Sequence, residues 1–167
     1  MIPVTFKGSP LHLAGVLPSV GQKAPEFTLL ANDLSPCGLQ DFAGKALVIA
    51  TVPSLDTPVC DTEIRRFNKQ AAALSDTLRI LAVSCDLPFA QARWCGAAGI
   101  SAVQTLSDHR DASFGQNYGV LIKELRLLAR AIFIVDAQGV LRYVQLVSEM
   151  TSEPDYDESL AAAKAVV

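Results

Sequence analysis

The segment before Cys60 constrains the fold most, because it joins an apolar run to a helical repeat. Residues 45–52 read as a strand buried on both faces, and residues 60–74 carry apolar side chains at helical spacing. Thr57 is suited to the N-cap, and Pro58 fits the first helical position, where a missing N–H costs nothing. Cys60 is therefore predicted in the first helical turn, where unpaired backbone N–H groups and the helix dipole favour a thiolate.

Strands and helices alternate along most of the remaining chain. A β-hairpin is expected around Gly8-Ser-Pro10, followed by an extended piece at 26–30. The other predicted strands are 45–52, 78–84, 103–106, 130–135 and 140–147, and the predicted helices are 60–74, 88–98, 111–118 and 155–166. The last two strands flank a hairpin turn at Asp136–Gly139. This order predicts an α/β fold, in which a central mixed sheet is flanked by helices on both faces.

The composition predicts one globular domain over residues 1–167. Half of the residues are hydrophobic and 19% are charged, so the chain can bury a sizeable core. A net charge of −3 offers no basic surface for nucleic acid and no anchor for a membrane. The N-terminal residues do not resemble a signal peptide, and a cytoplasmic protein is expected.

Four cysteines, at positions 37, 60, 85 and 95, restrict the possible cysteine chemistry. A static disulfide framework is not expected in a cytoplasmic protein. Zinc sites usually need closely spaced ligand pairs, which these cysteines and the two histidines, His12 and His109, do not form. The absence of a Cys-x-x-Cys pair argues against a thioredoxin-type dithiol exchanger. Any redox chemistry must therefore join cysteines that are distant in sequence.

The pattern Pro-x-x-x-Thr-x-x-Cys, formed by Pro53, Thr57 and Cys60, resembles the active-site motif of the peroxiredoxins. Further segments extend the resemblance over nearly the whole chain. Those that look like the thiol peroxidase subfamily are Ser54–Cys60, Asp86–Gly96, Leu128–Arg130 and Ser152–Tyr156.

This resemblance implies a thioredoxin-like fold and a role for each matching residue. Cys60 would attack a hydroperoxide and become a sulfenic acid, and Thr57 would contact both thiolate and peroxide. Pro53 would shield the pocket, and Arg130 would direct its guanidinium at the sulfur. Cys95 would resolve the sulfenic acid as an intramolecular disulfide. Thioredoxin would reduce that disulfide, a homodimer is expected, and no metal, haem, flavin or selenium is needed.

Two other functions fit the same residues. A peroxide sensor would pass its oxidation to a partner protein, and a one-cysteine peroxidase would be resolved by an external thiol with Cys95 idle. A purely structural or binding role fits the motif least well.

Some expectations concern the neighbours of these residues. Asp56 and Asp61 would oppose thiolate formation if they pointed inward, so they are expected to face solvent or to pair with a nearby cation. The candidate cations are Arg65, Arg66 and Lys69. Cys85 is expected to be structural, and Cys37 is expected in an exposed turn. The core is expected to contain the aromatic residues Phe27, Phe42, Phe67, Phe89 and Tyr118.

The predicted disulfide has a geometric requirement. Its two Cα atoms must lie within roughly 7 Å, which packed helices rarely allow. Because Cys60 and Cys95 lie in separate predicted helices, we expect local unwinding at both cysteines before they can join. The glycines after Cys95 weaken its helix, which is consistent with such unwinding.

Overall fold

A computed structural model describes residues 4–71 and 73–167, which form a mixed β-sheet flanked by helices. The strands are β1 Val4–Phe6, β2 Ser9–Leu11, β3 Leu13–Ala14, β4 Thr28–Leu30, β5 Pro36–Gly38, β6 Ala46–Thr51, β7 Leu78–Ser84, β8 Val103–Ser107, β9 Leu121–Ile122, β10 Ala131–Val135 and β11 Leu141–Leu146. The α-helices are α1 Pro58–Ala71, α2 Pro88–Ala98, α3 Ser113–Asn117 and α4 Tyr156–Lys164. A short 3-10 helix, Leu39–Phe42, leads into β6.

The main sheet has seven strands in the order β11-β10-β6-β7-β8-β4-β5. Strands β6, β7 and β8 run parallel, and the remaining neighbours pair antiparallel. Every residue of the central strand β6 is buried, as its continuous apolar sequence predicts. The predicted mixed sheet is therefore confirmed.

Side chains of the central strands alternate between two buried clusters. Val48 and Ala50 point towards α1 and α4, whereas Leu47 and Ile49 point towards the opposite face. The opposite face is covered by α3 and by the chain that precedes β6. This alternation follows from the two-residue period of a strand, and it places α1 directly above the sheet.

Most predicted elements are confirmed within a few residues. The bounds of α2 agree with the prediction, whereas α1 begins two residues early, at Pro58. Residue 72, inside the predicted 60–74 helix, lies outside the described residues, and residues 73 and 74 lie in a turn and a bend. The N-terminal hairpin turns at Lys7–Gly8, so β2 already begins at Ser9.

Two predictions about burial are wrong. Cys37 is buried in β5 rather than exposed in a turn, because its segment pairs antiparallel with β4 and turns the side chain into the core. Phe89 is 65% exposed instead of lying in the core, because Pro88 and Gln91 occupy the inward face of α2. No helix in the described part of the chain is long and apolar enough to cross a membrane.

Candidate functional site

The chain places Cys60 where it passes from β6 into α1. The Asp61 N–H donates to the Thr57 carbonyl at 3.0 Å, which is the first helical hydrogen bond and identifies Thr57 as the N-cap. Cys60 therefore lies in the first turn, as predicted. Its side chain exposes none of its surface to solvent.

Arg130 directly precedes β10 and is almost completely buried beside Cys60. One terminal nitrogen donates to Glu63 Oε2 at 2.6 Å, and the other donates to the Met150 carbonyl at 2.8 Å. Its Nε is buried and has no hydrogen-bond partner among the described residues. Burial by itself lowers the pKa of Arg130, but the nearby Glu63 carboxylate and Cys60 sulfur raise it above its ordinary value. The guanidinium is thus held charged and lies close to the Cys60 sulfur.

Glu63 is a site residue that sequence reasoning missed. It lies one turn after Cys60 on the same side of α1, and its side chain is fully buried. Burial raises the pKa of Glu63 to about 7, although the Arg130 guanidinium opposes this shift. The sequence could have indicated this role, because Glu63 lies on the apolar helix face that also carries Ile64 and Phe67. A carboxylate buried on such a face requires a cationic or donating partner.

Asp86, in the turn after β7, anchors the loop that leads to Cys60. Its carboxylate accepts hydrogen bonds from the Ser54 hydroxyl at 2.7 Å and from the Leu55 N–H at 2.8 Å. The Ser84 hydroxyl donates to the same carboxylate at 2.8 Å. Because Asp86 joins the ends of two parallel strands, the loop position depends on a residue distant in sequence. Asp86 begins one of the segments that resemble the family, but its role was not predicted.

Thr57 and Pro53 lie on either end of this loop. The Thr57 hydroxyl donates to the Ser54 carbonyl at 2.9 Å, and the residue is exposed. Pro53 is buried where the chain leaves β6. Thr57, Pro53, Cys60 and Arg130 are thus brought to the same end of β6 and β10.

Cys95 lies elsewhere in the reduced structure. Its sulfur is 3.5 Å from the Thr105 hydroxyl of β8, and the half-buried side chain lines a groove of about 480 Å³ beside β4. Cys60 is instead fully buried beside Arg130, and both cysteines are free thiols. The structure therefore does not bring the two predicted redox cysteines together.

The remaining cysteines and acidic residues differ in environment. Burial raises the pKa of Cys37 to about 11 and that of Cys85 to about 12. Asp56 is exposed, and Asp61 forms an ion pair with Arg65 at 2.8 Å, as predicted. In the described part of the chain, His, Cys, Asp and Glu residues form no group of three or more that could hold a metal ion.

Comparison with known proteins gives the family. The Redoxin family model matches residues 19–160. The chain is 56% identical to the thiol peroxidase of Halalkalibacterium halodurans over 167 residues, covering 100% of both chains. It is 53% identical to the thiol peroxidase of Bacillus subtilis, covering 100% of this chain and 99% of that protein.

Solved structures agree with these matches. A peroxiredoxin-like protein from Aquifex aeolicus is 42% identical and superposes with a TM-score of 0.93, covering 100% of this chain and 98% of that one. The thiol peroxidase of Chromobacterium violaceum, at 24% identity and a TM-score of 0.85, covers 94% of this chain and 92% of its own and supports the fold. The fold is therefore thioredoxin-like, and the chain belongs to the thiol peroxidase subfamily of the peroxiredoxins, a family of oxidoreductases.

Proposed function

We propose that this thiol-dependent peroxidase reduces hydrogen peroxide and organic hydroperoxides with Cys60 as the attacking thiolate. The observation that carries the proposal is the buried Arg130 guanidinium beside the Cys60 sulfur, with its Nε–H unpartnered among the described residues. A buried donor without a partner is costly unless a ligand or reacting group uses it. A peroxide oxygen bound next to the sulfur would satisfy it.

The first step forms an S–O bond and breaks the peroxide O–O bond. The Cys60 thiolate supplies the electron pair, the attacked oxygen remains on sulfur as a sulfenic acid, and the other oxygen leaves as an alkoxide or hydroxide that takes up a proton. An ordinary thiol is about 3% ionised at pH 7, so ionisation alone can accelerate attack by only about 30-fold. Positioned donors must supply the rest, and each can contribute about 3–4 kcal/mol.

Arg130 and Thr57 are suited to complementary parts of this step. The Arg130 guanidinium would stabilise negative charge that moves from sulfur to the departing oxygen. The Thr57 hydroxyl already donates its hydrogen to the Ser54 carbonyl, so its lone pairs can accept a hydrogen bond from the peroxide. Together they would align the O–O bond with the sulfur, and Pro53 would keep water from the pocket.

Access to the sulfur needs a small movement of the protein. Cys60 has no exposed surface, whereas Thr57 and Pro58 beside it are exposed. A peroxide would therefore enter by displacing the start of α1. The same displacement is the first part of the movement that resolution requires.

We also propose that Cys95 resolves the sulfenic acid. Its thiol would attack the Cys60 sulfur, form the intramolecular disulfide and release water, after α1 and α2 loosen locally. Reduction by thioredoxin, assembly as a homodimer and a cytoplasmic location complete the proposal, and these three rest on resemblance to the family.

The test is intact mass and peptide mapping after one equivalent of cumene hydroperoxide is added to reduced protein. We expect a loss of two hydrogens that maps to a Cys60–Cys95 link, and turnover with thioredoxin and its reductase. An oxygen adduct on Cys60 with Cys95 free would retain the peroxidase but exclude Cys95 as the resolver. Unmodified Cys60 would overturn the proposed function. A Cys95→Ser variant that turns over normally would indicate resolution by an external thiol.

A further inference from the structure

Three polar residues form a line along α1 that faces α2. Asp61, Arg65 and Asn68 are spaced four and three residues apart, so they share one face of the helix. Each contacts α2 or the chain that follows it. We call these three residues the polar seam.

One part of the polar seam adjoins both redox cysteines in the sequence. The Trp94 indole N–H donates to Asp61 Oδ1 at 2.8 Å, and Arg65 Nε donates to Asp61 Oδ2 at 2.8 Å. The Arg65 guanidinium also lies 5.8 Å from the centre of the Trp94 ring. Asp61 directly follows Cys60, and Trp94 directly precedes Cys95.

The other part of the polar seam holds the end of α2. Asn68 Oδ1 accepts hydrogen bonds from the backbone N–H groups of Ser101 at 3.2 Å and Ala102 at 2.8 Å. These residues follow Gly99, which ends α2 in the left-handed conformation. The two parts of the polar seam thus hold α2 against α1 at two places, beside Cys95 and at the C-terminal end of α2.

Apart from the polar seam, α2 is fixed mainly near its start. Pro88 and Gln91 are its buried residues, and the Gln91 amide donates to the Ser84 hydroxyl at 3.0 Å and to the Leu106 carbonyl at 2.9 Å. The N-cap, Leu87, makes no side-chain capping bond. A helix with a small buried apolar surface opens locally at low cost. The polar seam therefore contributes a large part of what keeps the second half of α2 in place.

We propose that the Asp61–Trp94 hydrogen bond controls how fast α2 separates from α1, and so controls the fate of oxidised Cys60. This inference rests on the proposed role of Cys95. Because Asp61 and Trp94 adjoin the two cysteines, any movement that joins the sulfurs must change the distance between the Asp61 and Trp94 side chains. Asp61 and Trp94 are thus positioning residues for resolution.

The sulfenic acid of Cys60 has two competing reactions. Condensation with the Cys95 thiol forms the disulfide and releases water. A second hydroperoxide instead transfers an oxygen atom to give the sulfinic acid and releases an alcohol or water. If opening of the polar seam limits condensation, a weaker seam favours the disulfide over the sulfinic acid.

The experiment compares Asp61→Ala with Asp61→Asn and Trp94→Phe under excess cumene hydroperoxide. Both Asp61 variants remove the charge next to Cys60, but asparagine keeps an acceptor for the indole N–H. Phenylalanine keeps a ring and removes the donor. Peptide mapping measures the ratio of sulfinic acid to Cys60–Cys95 disulfide. This ratio is set by how the sulfenic acid divides between the two reactions, and not by how fast the sulfenic acid forms. Circular dichroism verifies that each variant is folded.

We expect the ratio to fall about three- to tenfold in Asp61→Ala relative to Asp61→Asn, and in Trp94→Phe relative to the wild type, as the loss of one hydrogen bond allows. The double variant Asp61→Ala/Trp94→Phe should show no further change. An unchanged or increased ratio, in variants that still form the disulfide, would overturn the inference and leave the proposed function intact. Failure of the wild-type chain to form the disulfide would instead overturn the proposed role of Cys95.

Discussion

Arg130 illustrates how a single residue is fixed for chemistry. A buried guanidinium needs several partners, and here Glu63 and the Met150 carbonyl each take one terminal nitrogen. Because both partners are fixed, the Nε edge has a defined direction before any substrate arrives. Such preorganisation removes the cost of orienting the donor during the reaction.

We expect Glu63→Gln to slow the oxidation of Cys60 by peroxide about 10- to 100-fold. Glutamine can still accept a hydrogen bond from Arg130, but the attraction between two full charges is lost from an interaction of a kind worth about 1.5–3 kcal/mol. Stopped-flow fluorescence of Trp94 gives the rate constant. The exposed Glu124→Gln is the control, because Glu124 pairs with His12 rather than with Arg130. A Glu63→Gln rate equal to that of the wild type would show that orientation by Glu63 is unnecessary.

The thiols of Cys37, Cys85 and Cys95 should also differ in reactivity. Because burial raises the pKa of Cys37 to about 11 and of Cys85 to about 12, both are almost entirely protonated at pH 8. Iodoacetamide reacts with thiolates, so we expect labelling of Cys95 at least about 100-fold faster than that of Cys37 or Cys85. Peptide mass spectrometry over time measures the three rates. Comparable rates for Cys95 and Cys37 would contradict the buried position of β5.

At the scale of elements, α3 depends on a buried carboxylate. Asp108 Oδ1 accepts from the Phe114 N–H at 3.1 Å, and Oδ2 accepts from the Gly115 N–H at 2.8 Å. Burial nevertheless raises the pKa of Asp108 from 3.8 to about 6, since these two hydrogen bonds offset only part of the desolvation. The folded chain therefore holds this proton more tightly than the unfolded chain does.

We expect this proton to make stability depend on pH. Between pH 4 and pH 6 the folded state binds more protons at Asp108, so the free energy of unfolding falls as pH rises. The shift corresponds to about 3 kcal/mol. Relative to Asp108→Asn, the wild type should therefore lose up to this amount between pH 4 and pH 7, measured by urea unfolding. A difference that is constant with pH would exclude Asp108 as its source.

Elements with strong local signals could be predicted from the sequence. The apolar run of β6 and Pro58 gave a buried strand followed by a helix, and α2 agrees with its predicted bounds. The position of Cys37 depends on pairing with β4, which local sequence does not reveal. The ion pair of Glu63 with Arg130 joins residues 67 positions apart, so it follows from the topology of the sheet.

At the scale of the molecule, the sheet and the helices above it have different tasks. Strands β6 and β10 are buried throughout, β7 is buried except at Arg79, and the fixed Arg130 directly precedes β10. The start of α1 and the whole of α2 carry the two cysteines, whose positions must change during the proposed cycle. A rigid sheet, with movement limited to the start of α1 and to α2, allows the sulfurs to meet without loss of the fold.

We therefore expect hydrogen exchange to change unevenly when the Cys60–Cys95 disulfide forms. Amides in the first turn of α1 and throughout α2 should exchange about tenfold faster or more in the oxidised protein, because they lose helical hydrogen bonds. Amides of β6 and β10 should keep their protection. Mass spectrometry of peptides from reduced and oxidised protein measures both regions, and Cys95→Ser treated with peroxide separates disulfide formation from oxidation itself. Unchanged exchange in α2 would mean that the cysteines meet by another movement, whereas increased exchange in β6 would show that the sheet itself opens.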